Sequence, residues 1–508
     1  MTERLSKKKV YLFYLMYFFI IPIGFFLRVI YSRTISVEEL GLLYSMISFF
    51  GFISVFTNLG LSTSLRFFIP KFIVKKKTKS IINVFYFSLG IQLVLVSIFS
   101  ILIFLFSEFL AINYFHNSVA KIMLRFFLIF FICSNFFTSI LDVFISYGLD
   151  FFYLLGGFIQ NISILILTVL FWFLGVGDLF LFYVSAWSIA TIVSLVFYSV
   201  ILLLKCPYLI SKPKWDKTLL KEHLSYSFSL FFSNIGFNIM TQIDIIMITF
   251  FIGLSGVGLY SNSFSLVSTF ISIFTSIGIL FMPLFSEKKE QKDLSGLQKI
   301  VNFIYTTIVF LLLPFSLVLI IYSKLALKLI FGSSYSSGNT ILVIFSFFLL
   351  VKVMMTYNLN IMNGLGLAKK TPKIVLIAVI CNIILNLVLI NLIGIIGVVI
   401  STIFSWMLVA YLTYVEVSNE IDYKFPLKFI PKVFFSGFCF LVFLFIFKNL
   451  LINLNIYFSI IFTLGMSYLL YILIGIWIKI VTMKELYDLL PDPLKQSMLK
   501  VYGYYKSL

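Results

Sequence analysis

The feature that most constrains this chain is the recurrence of uninterrupted apolar runs of about 20 residues, the length an α-helix needs to cross a hydrocarbon core of ~30 Å. Fourteen can be placed, near 10–32, 41–69, 82–106, 122–147, 151–174, 179–204, 224–251, 258–283, 300–322, 339–363, 374–392, 395–416, 429–450 and 456–478. Backbone groups in lipid must be satisfied inside the segment that carries them, so runs of this kind fold as helices. Charged residues make up only 11% of the chain, where soluble domains carry about 25%, and mean hydropathy is +1.12. The expected class is an all-α polytopic membrane protein. The first run is too long for a signal-peptide core and no small-residue cleavage site follows it, so it is expected to remain as a span.

A net charge of +19 invites a nucleic-acid reading, but the placement of the charge argues against one. With the N-terminus inside, the even-numbered connections and both termini hold 29 of the 38 Lys and Arg, and the odd-numbered connections five. This alternation is the positive-inside pattern, and it puts both termini in the cytoplasm. Four basic residues remain within the runs: Arg28, Arg66, Arg125 and Lys352. The four cysteines form no CxxC pair and the two histidines stand apart, so neither a disulfide framework nor a zinc site is legible. No GxxxxGK[ST] loop is present to couple ATP.

The chain repeats itself at a separation near 216 residues. Arg28, Tyr44 and Ser45 superpose on Asp244, Tyr260 and Ser261, and Gly148 of "SYGLD" on Gly364 of "MNGLG". Six helices thus recur in the same orientation, and such parallel repeats place a substrate site between the two halves of a transporter. The expected organisation is an N-terminal lobe over 1–204, a cytoplasmic linker over 205–223 and a C-terminal lobe over 224–416. Two extra helices follow over 417–481, then a cytoplasmic tail over 482–508. Pro70 and Pro283 are expected to close spans 2 and 8.

Asp244 is the costliest residue to insert, at roughly 2.5 to 3.5 kcal/mol in mid-membrane, so it needs a partner or a job. It precedes the Gly-rich turn at 253–258 by about ten residues, which sets it roughly 15 Å below that turn. Asn382 and Asn386 share one helical face. Asn386 and Thr402 lie eight residues on either side of Gly394, so a helical hairpin returns both to one depth, on the order of 12 Å below its turn. Three helices therefore offer oxygen atoms at one height. Arg28 and Lys352 are too deep to snorkel easily and are expected to face a water-filled cleft or a partner, where cations suit a phosphate head group. Arg66 and Asp142 lie nearer helix ends, where Arg66 can snorkel and Asp142 can pair with a cleft cation. With 64 Phe and 28 Tyr, no aromatic can be singled out for sugar stacking.

Four segments carry a resemblance: "EELGLLYS", "SGVGLYS", "MNGLGLAKKTPK" and "CNIILNLVLINLIGIIGVVIST". Through them the chain resembles the multidrug/oligosaccharidyl-lipid/polysaccharide exporter superfamily, and within it polysaccharide-biosynthesis flippases similar to O-antigen flippases. The resemblance implies two six-helix lobes around a cleft and ion-coupled alternating access. It implies a lipid-linked oligosaccharide as substrate, membrane lipid and glycan-assembly proteins as partners, and a place in the inner or plasma membrane. Related lipid II flippases hold sodium between spans 7, 11 and 12, and Asp244, Asn382, Asn386, Thr402 and the Val398 carbonyl fall where that motif places its ligands. This chain departs from them in carrying Asn386 where they carry an acid. Interhelical hydrogen bonding alone, or a protonatable Asp244 without sodium, remain open readings of the same residues. So do a multidrug exporter and a lipid II-type precursor flippase as the function of the same fold, while a membrane glycosyltransferase would call for a larger outer loop.

Overall fold

A capping box starts the first helix hairpin: Ser36 Oγ accepts from the Glu39 amide at 3.2 Å while Glu39 Oε2 accepts from the Ser36 amide at 2.8 Å. The computed structural model describes residues 22–175, 178–279, 281–450 and 456–480. The start of the first apolar run and the tail over 482–508 lie outside the described residues.

The chain is helical over 22–34 (α1), then forms α2 (Val37–Asn58), α3 (Leu61–Val74), α4 (Thr78–Leu105), α5 (Ser107–Asn113), α6 (Val119–Ser146), α7 (Asp150–Leu174) and α8 (Leu179–Lys205). A second set follows: α9 (Lys217–Phe251), α10 (Leu254–Ile279), α11 (Met282–Glu290), α12 (Leu294–Phe303), α13 (Val309–Ile321), α14 (Ser323–Ile330), α15 (Asn339–Phe347), α16 (Leu349–Gly364), α17 (Thr371–Ile393) and α18 (Ile395–Ile421). Then come α19 (Phe429–Leu450) and α20 (Ile456–Trp477), which pack on α13 through Phe310, Phe440 and Tyr471.

Among the described residues, eleven helices are long and apolar enough to cross a membrane, or twelve if one bent pair counts as a single span. The expected count of fourteen is not confirmed by these, because most of the first run lies outside the described residues. Span 2 divides into α2 and α3 at Leu59, whose φ of 46° breaks the helix. Pro70 does not close that span; it lies inside α3, which runs on to Val74. Span 10 bends by 46° at Phe348, between α15 and α16. The helix that carries Asp244 starts at Lys217, before 224, because Asp216 accepts from the amides of Thr218 and Leu219 and so caps it.

Two seams set where a site can lie. At the end of the bundle near Gly253, α2 of the first lobe runs against α10 of the second so closely that a Cβ on Gly41 would sit 1.8 Å from the Leu254 carbonyl oxygen, and one on Gly258 2.4 Å from that of Val37. Ser45 Oγ and Thr249 Oγ1 meet there at 2.8 Å, and Tyr114 donates to the Ile246 carbonyl at 3.1 Å. Arg33 reaches from α1 to the last carbonyls of α14, at Leu329 and Ile330. Toward the lysine-rich end, the first half of α9 packs on the first lobe instead, where His223 is buried between Ser64 and Ser88. With 35 residues, α9 is about 52 Å long at 1.5 Å per residue. It therefore touches both lobes.

Candidate functional site

Two helical hairpins bring the oxygen atoms together. α9 and α10 turn back on each other at Gly253, and α17 and α18 at Gly394, which returns Asp244, Tyr260, Asn386 and Thr402 to a common depth. Asp244 is only 6% exposed, yet its carboxylate is well supplied with donors. Tyr260 Oη donates to Oδ2 at 2.8 Å, and Asn386 Nδ2 donates to Oδ1 at 3.1 Å and reaches Asn382 Oδ1 at 3.2 Å. Thr402 Oγ1 stands 2.5 Å from Asp244 Oδ2 and 2.9 Å from the Val398 carbonyl. A hydroxyl has one proton, so Thr402 serves one of these acceptors at a time. Asp244, Asn382, Asn386 and Thr402 are thus joined by hydrogen bonds, with the Val398 carbonyl one turn from Thr402.

Charge balance is less complete than hydrogen bonding. Among the described residues no Lys or Arg pairs directly with Asp244; Lys352 on α16 lies within electrostatic range of it. The Lys352 ammonium lies 5.0 Å from the centre of the Trp406 ring, one turn beyond Thr402 on α18. One acceptor is also left over, since Asn386 Oδ1 is buried without a hydrogen-bond partner among the described residues. An unpaired buried acceptor costs about 1 to 3 kcal/mol. A small cation would satisfy it: the donor set is all oxygen, with one carboxylate, two amide oxygens, a hydroxyl and a carbonyl. Such a set suits a monovalent ion better than calcium, whose sites usually carry more carboxylate charge. Among the described residues no cluster of three His, Cys, Asp or Glu competes as a metal site.

The expected head-group residues do not converge on one point. Arg28 donates to the Ser261 carbonyl at 2.6 Å and to Asn262 Oδ1 at 3.4 Å, with its guanidinium 4.0 Å over the Tyr44 ring. It is thus part of the seam between α1, α2 and α10. Arg66 is paired with Asp142, which is only 3% exposed, and lies 5.9 Å from the Tyr153 ring toward the lysine-rich end. Lys352 stands apart over Trp406. Two residues were missed as parts of the site, Tyr260 and Trp406. Tyr260 was within reach of the argument used for Thr402, because it lies seven residues past Gly253 as Asp244 lies nine before it. The repeat is visible in these contacts too: position 28 meets position 44 in one lobe as position 244 meets position 260 in the other.

Two lobes of antiparallel helices, a seam between them and a buried carboxylate in one lobe define a polytopic membrane protein with the fold of the superfamily named above. The chain belongs to the polysaccharide biosynthesis protein family, whose profile matches residues 30–340. A lipid II flippase, MurJ, in its inward closed conformation has the same fold, with a TM-score of 0.73 at 19% identity over 92% of this chain and all of that one. An inward-facing multidrug resistance MATE transporter matches with a TM-score of 0.66 at 14% identity, over 79% of this chain and 94% of its own. In sequence, an uncharacterized membrane protein of Methanocaldococcus jannaschii is 24% identical over 95% of this chain and 97% of its own length. A protein of Haloferax volcanii named as a probable low-salt glycan biosynthesis flippase is 22% identical, over 57% of this chain and 58% of its own.

Proposed function

We propose that the protein is a flippase that turns a polyprenyl-(pyro)phosphate-linked oligosaccharide from the cytoplasmic to the outer leaflet of the cell membrane, by alternating access coupled to a monovalent cation. The observation that carries the coupling is the unpaired Asn386 Oδ1 beside the buried Asp244 carboxylate, which gives α9, α17 and α18 a shared reason to close around a cation. Family membership and the relation to a glycan biosynthesis flippase support the cargo. A bound ion shifts the balance between two states only by as much as its affinity differs between them. Asp244, Asn382, Asn386, Thr402 and the Val398 carbonyl would hold it, and it would supply positive charge at a buried carboxylate. The head-group phosphate is assigned to Lys352 and Arg66, and to Arg28 once the seam at its end of the bundle has parted. Both termini face the cytoplasm in this reading.

Proteoliposomes test the proposal. A fluorescent polyprenyl diphosphate saccharide placed in one leaflet should become accessible to an impermeant quencher faster with the protein than without it, and faster with a sodium gradient than with potassium alone. Equal rates with and without the protein would refute the flippase. Flipping that is indifferent to sodium, potassium and pH would leave the flippase standing and remove the coupling.

A further inference from the structure

Away from the Asp244 site, the break between α2 and α3 leaves a cavity of about 190 Å³ between the first lobe and the exposed face of α9, on a scale of several waters when one occupies about 30 Å³ of liquid. Ser54 and Asn58 come to it from α2, Ser134 and Thr138 from α6, and Asn234 and Asn238 from α9. No lining residue is charged, and the Phe231 ring forms part of the wall. Asn234, Asn238 and Thr138 are exposed, yet they lie within apolar spans. Lipid cannot solvate such groups, so this face borders water or a polar ligand.

The geometry points to this cavity as the subsite for the sugar nearest the lipid phosphate, an assignment that rests on the flippase reading above. An asparagine amide carries a donor pair and an acceptor side by side, the complement of neighbouring hydroxyls on a pyranose. Neutral amides and hydroxyls suit an uncharged polyol and give a phosphate no counter-charge. An aromatic wall suits the apolar C–H face of the same ring, while the Ser, Thr and Asn side chains that make up most of the lining suit its hydroxyls. The order along the helices agrees with a lipid-linked sugar. Arg66 lies one turn from Thr63, which also lines the cavity, and Asp142 one turn from Thr138, so the Arg66–Asp142 pair borders the cavity on its lysine-rich side. Arg66, which gives two of its nitrogens to Asp142 Oδ1, is the positive charge that stands at the cavity edge for a phosphate.

The test compares three probes on the full-length protein in lipid nanodiscs: a polyprenyl phosphate bearing one glucose, the same polyprenyl phosphate without sugar, and free glucose. Asn234→Ala with Asn238→Ala removes side chains whose only hydrogen bond among the described residues runs from Asn238 to the carbonyl of Asn234 on their own helix, so no hydrogen bond between helices is lost with them. Wild type should bind the glucosylated lipid about tenfold more tightly than the bare lipid, equivalent to about 1.4 kcal/mol. The double variant should bind both alike, with its affinity for the bare lipid unchanged. Undiminished preference for the glucosylated lipid in the double variant would overturn the subsite while leaving the flippase reading intact. No binding of either lipid by wild type would count against the flippase reading itself. As a second check, Ser134→Ala with Thr138→Val on the opposite wall should lower the preference in the same direction, and an unchanged preference there would equally overturn the subsite.

Discussion

Replacing Gly41 with Ala isolates the seam between the lobes. The new Cβ would lie 1.8 Å from the Leu254 carbonyl oxygen, 2.6 Å from its carbon and 3.2 Å from the Gly258 nitrogen, where ordinary contact begins near 3.4 Å. All three atoms are backbone, so no rotamer change relieves the clash; α2 and α10 have to part by about 1.6 Å. Overpacking of this kind costs typically about 1 to 3 kcal/mol. Because α2 and α10 belong to different lobes, the cost falls on the state in which this seam is closed and not on either lobe alone. A difference of that size moves a two-state balance by about 5- to 150-fold. Ser45, one helical turn along α2 and 1% exposed against Thr249, reports the change. In a background without the four native cysteines, Ser45→Cys should react slowly with a bulky maleimide, and adding Gly41→Ala should speed the reaction by a comparable factor. A folded Gly41→Ala protein whose Ser45→Cys labels at the original rate would refute the argument that this glycine sets the seam.

Asp244→Asn keeps the shape of the site and removes its carboxylate charge, so sodium-dependent thermal stabilisation present in wild type should vanish, with potassium at matched ionic strength as control; equal stabilisation in both proteins would eliminate the sodium site. Asn386→Asp adds a second carboxylate and should tighten sodium binding or make it depend more steeply on pH. Lys352→Met removes a positive charge that competes with sodium for Asp244, so sodium affinity should rise several-fold in a direct titration, and a fall would show that the ammonium supports the site instead. The proposed orientation predicts that an impermeant thiol reagent outside sealed cells labels Ser334→Cys and spares Ser295→Cys, both at exposed positions; the reverse pattern would invert the topology.

The sequence revealed the Asp244 cluster because two sharp turns made depth readable. Counting residues on either side of Gly253 and Gly394 was enough to place oxygen atoms at one level, and the same count would have included Tyr260. Depth also flagged Arg28 as a cation needing a partner, but its principal acceptor is the backbone carbonyl of Ser261, and no pattern of side chains announces a carbonyl. Hydropathy reports only that a segment can be solvated by lipid. It was therefore blind to the bend at Phe348, which has no Pro or Gly beside it, and to the continuation of α3 through Pro70. The neutral cavity escaped for a related reason, because a search for costly residues weighs charges, while Asn234 and Asn238 pass as ordinary polar residues inside a Phe-rich run.

These differences bear on how the site relates to the seam. On α10, Tyr260 turns its hydroxyl to Asp244 while the next residue, Ser261, gives its carbonyl to Arg28 and Asn262 gives its side-chain oxygen to the same guanidinium. One turn of one helix thus holds the buried carboxylate on one side and the opposite lobe on the other. Asp244 and Arg28 are also the two residues that the 216-residue repeat superposes, so equivalent positions of the two lobes carry opposite charges and meet the same turn of α10. The repeat explains why both residues lie at the same depth. Their difference in charge explains why one gathers hydroxyl and amide donors within its own lobe, whereas the other, with donors only, crosses the seam to reach oxygen atoms.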